Sequence, residues 1–106
     1  MPVYNKLARD LILQIIEKSG SKFTTCTLHS SEYLTEIKKK LEEEVQEYQE
    51  TTNALEELAD ILELIHAALP IHEATTFKDL ETIRIAKKEK RGEFEKGIYL
   101  IEVKEE

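Results

Sequence analysis

Residues 39–65, KKLEEEVQEYQETTNALEELADILELI, are helix formers almost throughout, interrupted only at Thr51, Thr52 and Asn53. A segment of this kind folds as two helices joined by a tight turn. Before the break, Leu34, Ile37, Leu41, Val45 and Tyr48 recur at helical spacing and predict a helix over 32–50. After it, Leu55, Leu58, Ile61, Leu62 and Ile65 predict a second helix that starts at Asn53, with Glu56 as capping-box partner, and ends near Pro70. Connections this short join antiparallel neighbours.

The rest of the chain continues the pattern. Leu7, Leu11, Ile15 and Ile16 predict a first helix that stops at Ser19 and Gly20 and carries Lys6 and Arg9 one turn apart. Residues 22–31 read as an irregular or short extended connection, with Ser30 or Ser31 placed to cap the helix that follows. Leu80, Ile83 and Ala86 or Lys87 predict a fourth helix stopped by Gly92, and the tail around Ile98, Leu100 and Ile101 reads as a strand or an ordered arm. The expected fold is all-α: an antiparallel helical bundle built on an acidic hairpin, forming one domain over 1–106, with a short C-terminal strand or arm.

Charge narrows the function classes. The chain has 106 residues, 22 acidic against 15 basic, and a formal net charge of -7. Without a dense basic block it is a poor nucleic-acid surface, because phosphate neutralisation needs clustered Lys and Arg. One cysteine, Cys26, forms no internal disulfide, and the sequence offers no apolar signal segment or membrane span. A cytoplasmic protein is expected.

The acidic residues divide by helical face. At about 100° per residue, Glu44 and Glu47 fall one turn apart on one flank of the Leu41 and Tyr48 seam, and Glu57 and Asp60 fall one turn apart beside Ile61 and Leu64. Thr52 is midway both between Glu47 and Glu57 and between Glu44 and Asp60. An antiparallel hairpin turning at Thr52 therefore sets two rungs of carboxylates against one another. Such oxygens repel unless a cation lies between them, and hard oxygen ligands suit Mg²⁺ or Mn²⁺. The plainer explanation is a solvated helical face supported by Lys38, Lys39 and Lys40.

With these residues in view, the chain resembles a known family. EEVQE at 43–47 followed by ELAD at 57–60 is similar to the paired Glu-Glu-x-x-Glu and Glu-x-x-Asp signature of the MazG-like all-α nucleoside triphosphate pyrophosphohydrolases. YNKLARD at 4–10 and KKEKRGEFEKGIYL at 87–100 resemble the opening and closing segments of a small subgroup. The resemblance implies Glu44, Glu47, Glu57 and Asp60 as Mg²⁺ ligands, with Glu43 supporting the site or activating water. It implies cleavage between the α and β phosphates, giving a nucleoside monophosphate and pyrophosphate, in nucleotide-pool cleaning. It also suggests that Lys6, Arg9, Lys88 and Arg91 hold substrate phosphates, Arg as a planar fork and Lys as a point charge. The same basic residues otherwise serve as helix-dipole or ion-pair partners.

Three departures stand out. No proline follows the Arg9–Asp10 pair, Glu93 stands where the closing motif has its second glycine, and the connection between the acidic motifs is short. His29, His66 and His72 share no zinc-site spacing, Cys26 lacks a nucleophile's context, and Tyr4, Phe77, Phe94 and Tyr99 read as core or interface anchors more readily than base platforms. Two alternatives to nucleotide-pool cleaning stay open: a phosphoribosyl-ATP pyrophosphohydrolase, and a non-catalytic helical dimerisation or partner-binding module. Expected partners are a nucleotide substrate and a second copy of the chain, as a homodimer or a dimer of dimers, without a stable nucleic-acid or membrane partner.

Overall fold

A computed structural model describes residues 3–52, 54–72 and 76–105. The chain is helical, and no strand occurs among the described residues. It divides into two compact units, Met1–Ala74 and Thr75–Glu106.

In the first unit α1 spans only Ile12–Lys18. Residues 4–9 lie outside any helix and Asn5 has φ 47°, so Lys6 and Arg9 precede the helix instead of sharing one of its faces. Leu11 and Ile15 are exposed, and a helix of two turns without a packed apolar face has little to extend it. Its stop is local. Ser19 Oγ donates to the Ile16 carbonyl at 2.7 Å, and Gly20, at φ 85°, donates its N–H to the Glu17 carbonyl at 3.0 Å.

Residues 21–29 form an irregular connection. Helix α2 then runs Ser30–Glu50, with His29 at its N-cap; no side chain caps it, so neither Ser30 nor Ser31 has the role expected. Helix α3 spans Leu55–Ala68 and packs against α2. The capping residue expected for it, Asn53, lies outside the described residues. Pro70 ends the helix as a 3-10 turn over Leu69–Ile71, since proline supplies no N–H to continue the ladder.

The α2–α3 seam is where the structure departs most from simple amphipathic expectation. Ile37 is fully enclosed, and two turns on, the same face of α2 buries not an aliphatic residue but Glu44, which is 5% exposed. Val45 and Tyr48 face solvent. On α3 the half-buried line is Glu57, Ile61, Leu64 and Ile65, while Leu55, Leu58 and Leu62 are exposed. Carboxylates have thus taken inward positions, and leucines at helical spacing have been left outside.

In the second unit α4 spans Phe77–Arg91. Thr76 accepts from the Asp79 N–H through its hydroxyl at 3.2 Å, and the Asp79 carboxylate accepts the Thr76 N–H at 3.0 Å. This reciprocal box satisfies two otherwise orphaned donors, and the Thr76 hydrogen bonds hold the Asp79 carboxyl below its ordinary range. At the other end Gly92, at φ 83°, donates to the Lys88 carbonyl at 2.7 Å, the stop expected there. The tail forms no strand among the described residues; Ile98, Tyr99, Leu100, Ile101 and Val103 are all exposed, and no neighbouring strand satisfies its backbone.

Candidate metal centre

Of the carboxylates singled out by spacing, Glu44 is buried, Glu57 and Asp60 are half-buried, and Glu47 is exposed. Glu44 lies beside Glu47 on α2 and close to Asp60 on α3. Helical geometry brings Glu47 within one turn of Glu44, and packing of α3 against α2 brings Asp60 across. The Asp60 charge thus acts on Glu44 from the facing helix. For the other rung, Glu57 turns its Oε2 into the protein, where it reaches no hydrogen-bond partner.

Glu44 is the most unusual group. Its Oε2 is likewise buried without a partner, and its Oε1 stands 3.7 Å from Lys40 Nζ. Burial pushes its carboxyl above the ordinary range, and the neighbouring Glu47 and Asp60 charges push it further, against the pull of Lys40. A buried carboxylate oxygen without a donor is costly, and two of them beside one helix seam fit a cation of the hard, oxygen-preferring kind. Among the described residues, however, no three acidic, histidine or cysteine side chains stand ready around one ion position. Two of these carboxylates, Glu44 and Asp60, instead pair with the protein's own cations.

Those cations are Lys40 and Arg9. Lys40 also reaches Glu43 Oε2 at 3.7 Å, and Arg9 Nη2 donates to Asp60 Oδ1 at 2.6 Å. The Lys40 contacts follow i,i+3 and i,i+4 spacings along one helix and are legible in the sequence. The Arg9–Asp60 pair joins residues 51 positions apart, and no local pattern announces it.

The remaining candidates divide between the units. Lys6 and Glu43 line one shallow cleft with Tyr4, Lys39 and Lys40, and Lys6 Nζ sits 5.9 Å from the Tyr4 ring centroid. Lys88 pairs with Glu93 at 3.0 Å within the second unit. Arg91 closes α4, where it complements the helix dipole. Cys26 is exposed and free. No helix among the described residues is long and apolar enough to cross a membrane.

The burial of Glu44 carries a direct prediction. A carboxyl whose pKa is raised by folding contributes stability below its unfolded value and loses it as pH rises through the folded value. At pH 7 without divalent metal, Glu44→Gln is therefore expected to stabilise the protein by about 1 kcal/mol, the low end for relieving an unsatisfied buried group. The gain should shrink as pH falls toward 4.5, the ordinary carboxyl value. Urea unfolding at several pH values measures it, and a less stable Gln variant at neutral pH would show that the charge is satisfied.

Comparison with known proteins returns no matching family model and no significantly similar curated protein or solved structure.

Proposed function

We propose that this protein is a Mg²⁺-dependent nucleoside triphosphate pyrophosphohydrolase, cleaving between the α and β phosphates. The observation that carries the reading is the convergence of Glu44, Glu47 and Asp60 from two helices, with buried, unpartnered oxygens on Glu44 and Glu57. The reading takes α2 and α3 as antiparallel arms about Thr52, with Glu44, Glu47, Glu57 and Asp60 holding the ion; Mn²⁺ suits the same ligands. When bound, the ion supplies charge to neutralise triphosphate oxygens and to activate water.

The chain's own residues supply the rest. Burial holds Glu44 in a fixed frame, so little reorganisation of that carboxylate accompanies the reaction. Glu43, half exposed and tethered by Lys40, is placed at the border of that seam, where it supports the site or takes a proton from water. Arg9 and Lys6, on the segment before α1, bring positive charge to the phosphate tail.

The test is pyrophosphate release from a panel of canonical and damaged nucleoside triphosphates and phosphoribosyl-ATP, with Mg²⁺ and with chelator. Metal-dependent release from at least one substrate is expected, and the preferred substrate separates pool cleaning from a phosphoribosyl-ATP enzyme. Folded protein that releases none overturns the enzyme reading.

One observation favours assembly. Val45, Tyr48, Leu55, Leu58 and Leu62 are exposed on the α2–α3 pair, while Ile37 is the one fully enclosed large side chain among the described residues. Burying that stripe against a second copy would supply the apolar area that a unit this small lacks, as in a homodimer or a dimer of dimers. Sedimentation velocity should show a dimer or tetramer that dissociates on Leu58→Glu; a strictly monomeric wild type rejects it. The same stripe is what a purely structural dimerisation module would use, and such a module would not respond to Mg²⁺.

A further inference from the structure

We propose that Arg9 sets the cation affinity of the α2–α3 carboxylates by occupying Asp60 as an internal counter-cation that a divalent ion must displace. The proposal rests on the metal-dependent reading above and goes beyond it, because it assigns Arg9 a role in the protein before substrate arrives.

Three observations combine. Arg9 Nη2 donates to Asp60 Oδ1 at 2.6 Å, and Glu63 and Glu44 add to the negative field around its guanidinium. Glu44, 5% exposed, keeps Oε2 buried and without a hydrogen-bond partner, an observation separate from the Arg9–Asp60 pair that suits a cation beside it. The third is exposure outside any helix. Arg9 belongs to the irregular segment before α1, and its side chain is 60% exposed, so it can leave Asp60 without dismantling a helix or opening a core.

The competition follows from oxygen chemistry. A carboxylate oxygen engaged end-on by a guanidinium has given its best-directed lone pair to that donor. For Asp60 to join Glu44 and Glu47 around one ion through Oδ1, Arg9 has to release that oxygen, and through Oδ2 the ion shares Asp60 with a competing positive charge. An exposed pair of this kind is weak and screened by salt, so a divalent ion wins the exchange. The freed guanidinium retains its planar fork of donors, a geometry suited to phosphate oxygens beside the ion. Arg9 is thus a positioning residue: it holds Asp60 in place when no cation does, and it lowers apparent metal affinity in doing so.

Calorimetric titration of the full chain with Mn²⁺ alone, at pH 7 and low ionic strength, tests this with no turnover involved. Arg9→Gln is expected to bind Mn²⁺ about five-fold more tightly than wild type. Arg9→Lys, which keeps a charge within reach, should fall between the two. Lys38→Gln removes the same charge from an exposed α2 position and should leave affinity unchanged. Raising the salt to about 0.5 M should narrow the Arg9→Gln difference, because exposed ion pairs are screened. If Arg9→Gln binds no more tightly than wild type, or Lys38→Gln tightens binding equally, the assignment of Arg9 is wrong. Binding that is lost in Asp60→Asn yet indifferent to Arg9 would leave the metal site standing and reject only this inference. No Mn²⁺ binding by any of the proteins would reject both.

Discussion

Asp60→Asn and Glu47→Gln are each expected to lower Mg²⁺-dependent pyrophosphate release by about 100-fold or more, a loss of roughly 2.7 kcal/mol in transition-state stabilisation. Each replacement keeps the shape of the side chain and removes one anionic oxygen from the group that would neutralise the ion and the triphosphate beside it. The pair of variants matters. Asp60→Asn also removes the anion that Arg9 holds, whereas Glu47→Gln leaves the Arg9–Asp60 contact untouched. Loss in both, with helical content unchanged by circular dichroism, places the effect on the carboxylates. Wild-type release in both would mean that these acids are a solvated face and that any activity lies elsewhere.

Ile37→Ala is expected to cost about 2–5 kcal/mol, the usual range for removing most of an enclosed aliphatic side chain. In a small domain with typical total stability of about 5–15 kcal/mol, that is enough to populate the unfolded state. The position is exceptional because Ile37 has 0% exposure, while much of the apolar surface around it remains open. Leu55→Ala, at a residue 75% exposed, serves as the control and should leave monomer stability nearly unchanged. Urea unfolding with helical signal as readout compares the two. A cost below about 1 kcal/mol for Ile37→Ala would show that the seam closes over the gap. A large cost for Leu55→Ala would show that its stripe is covered in solution.

The two results bear on one another. Inward carboxylates and outward leucines are a poor arrangement for an isolated helical pair, since the first costs desolvation and the second forgoes burial. A cation at the acids and a second chain on the leucines would relieve both.

How much of this was legible beforehand differs from element to element. The ends of helices were written in single residues whose chemistry acts within one turn. Gly20 and Gly92 take left-handed backbone at helix stops, and Pro70 breaks the α3 ladder. The division of residues 30–68 into two helices was legible from the polar interruption at Thr51 and Thr52, although no side-chain cap marks the start of α3. The first helix is shorter than its Leu and Ile spacing predicts, because that spacing promises an apolar face only if something packs against it, and Leu11 and Ile15 stay exposed.

The candidate site was legible only as a set of residues. Symmetry about Thr52 singled out Glu44, Glu47, Glu57 and Asp60, but a period of 3.6 leaves an acid and a leucine on adjacent lines of one helix, and spacing does not say which line turns inward. Packing decided that, burying Glu44 and exposing Val45, Tyr48 and Leu58. Packing also carried Arg9 across 51 positions to Asp60, a contact with no representation in local sequence. Helix boundaries depend on hydrogen bonds made within a turn, so the sequence by itself determined them where a capping or stop residue stood. Burial and long-range charge pairing depend on which surfaces meet, and only the tertiary structure decided those.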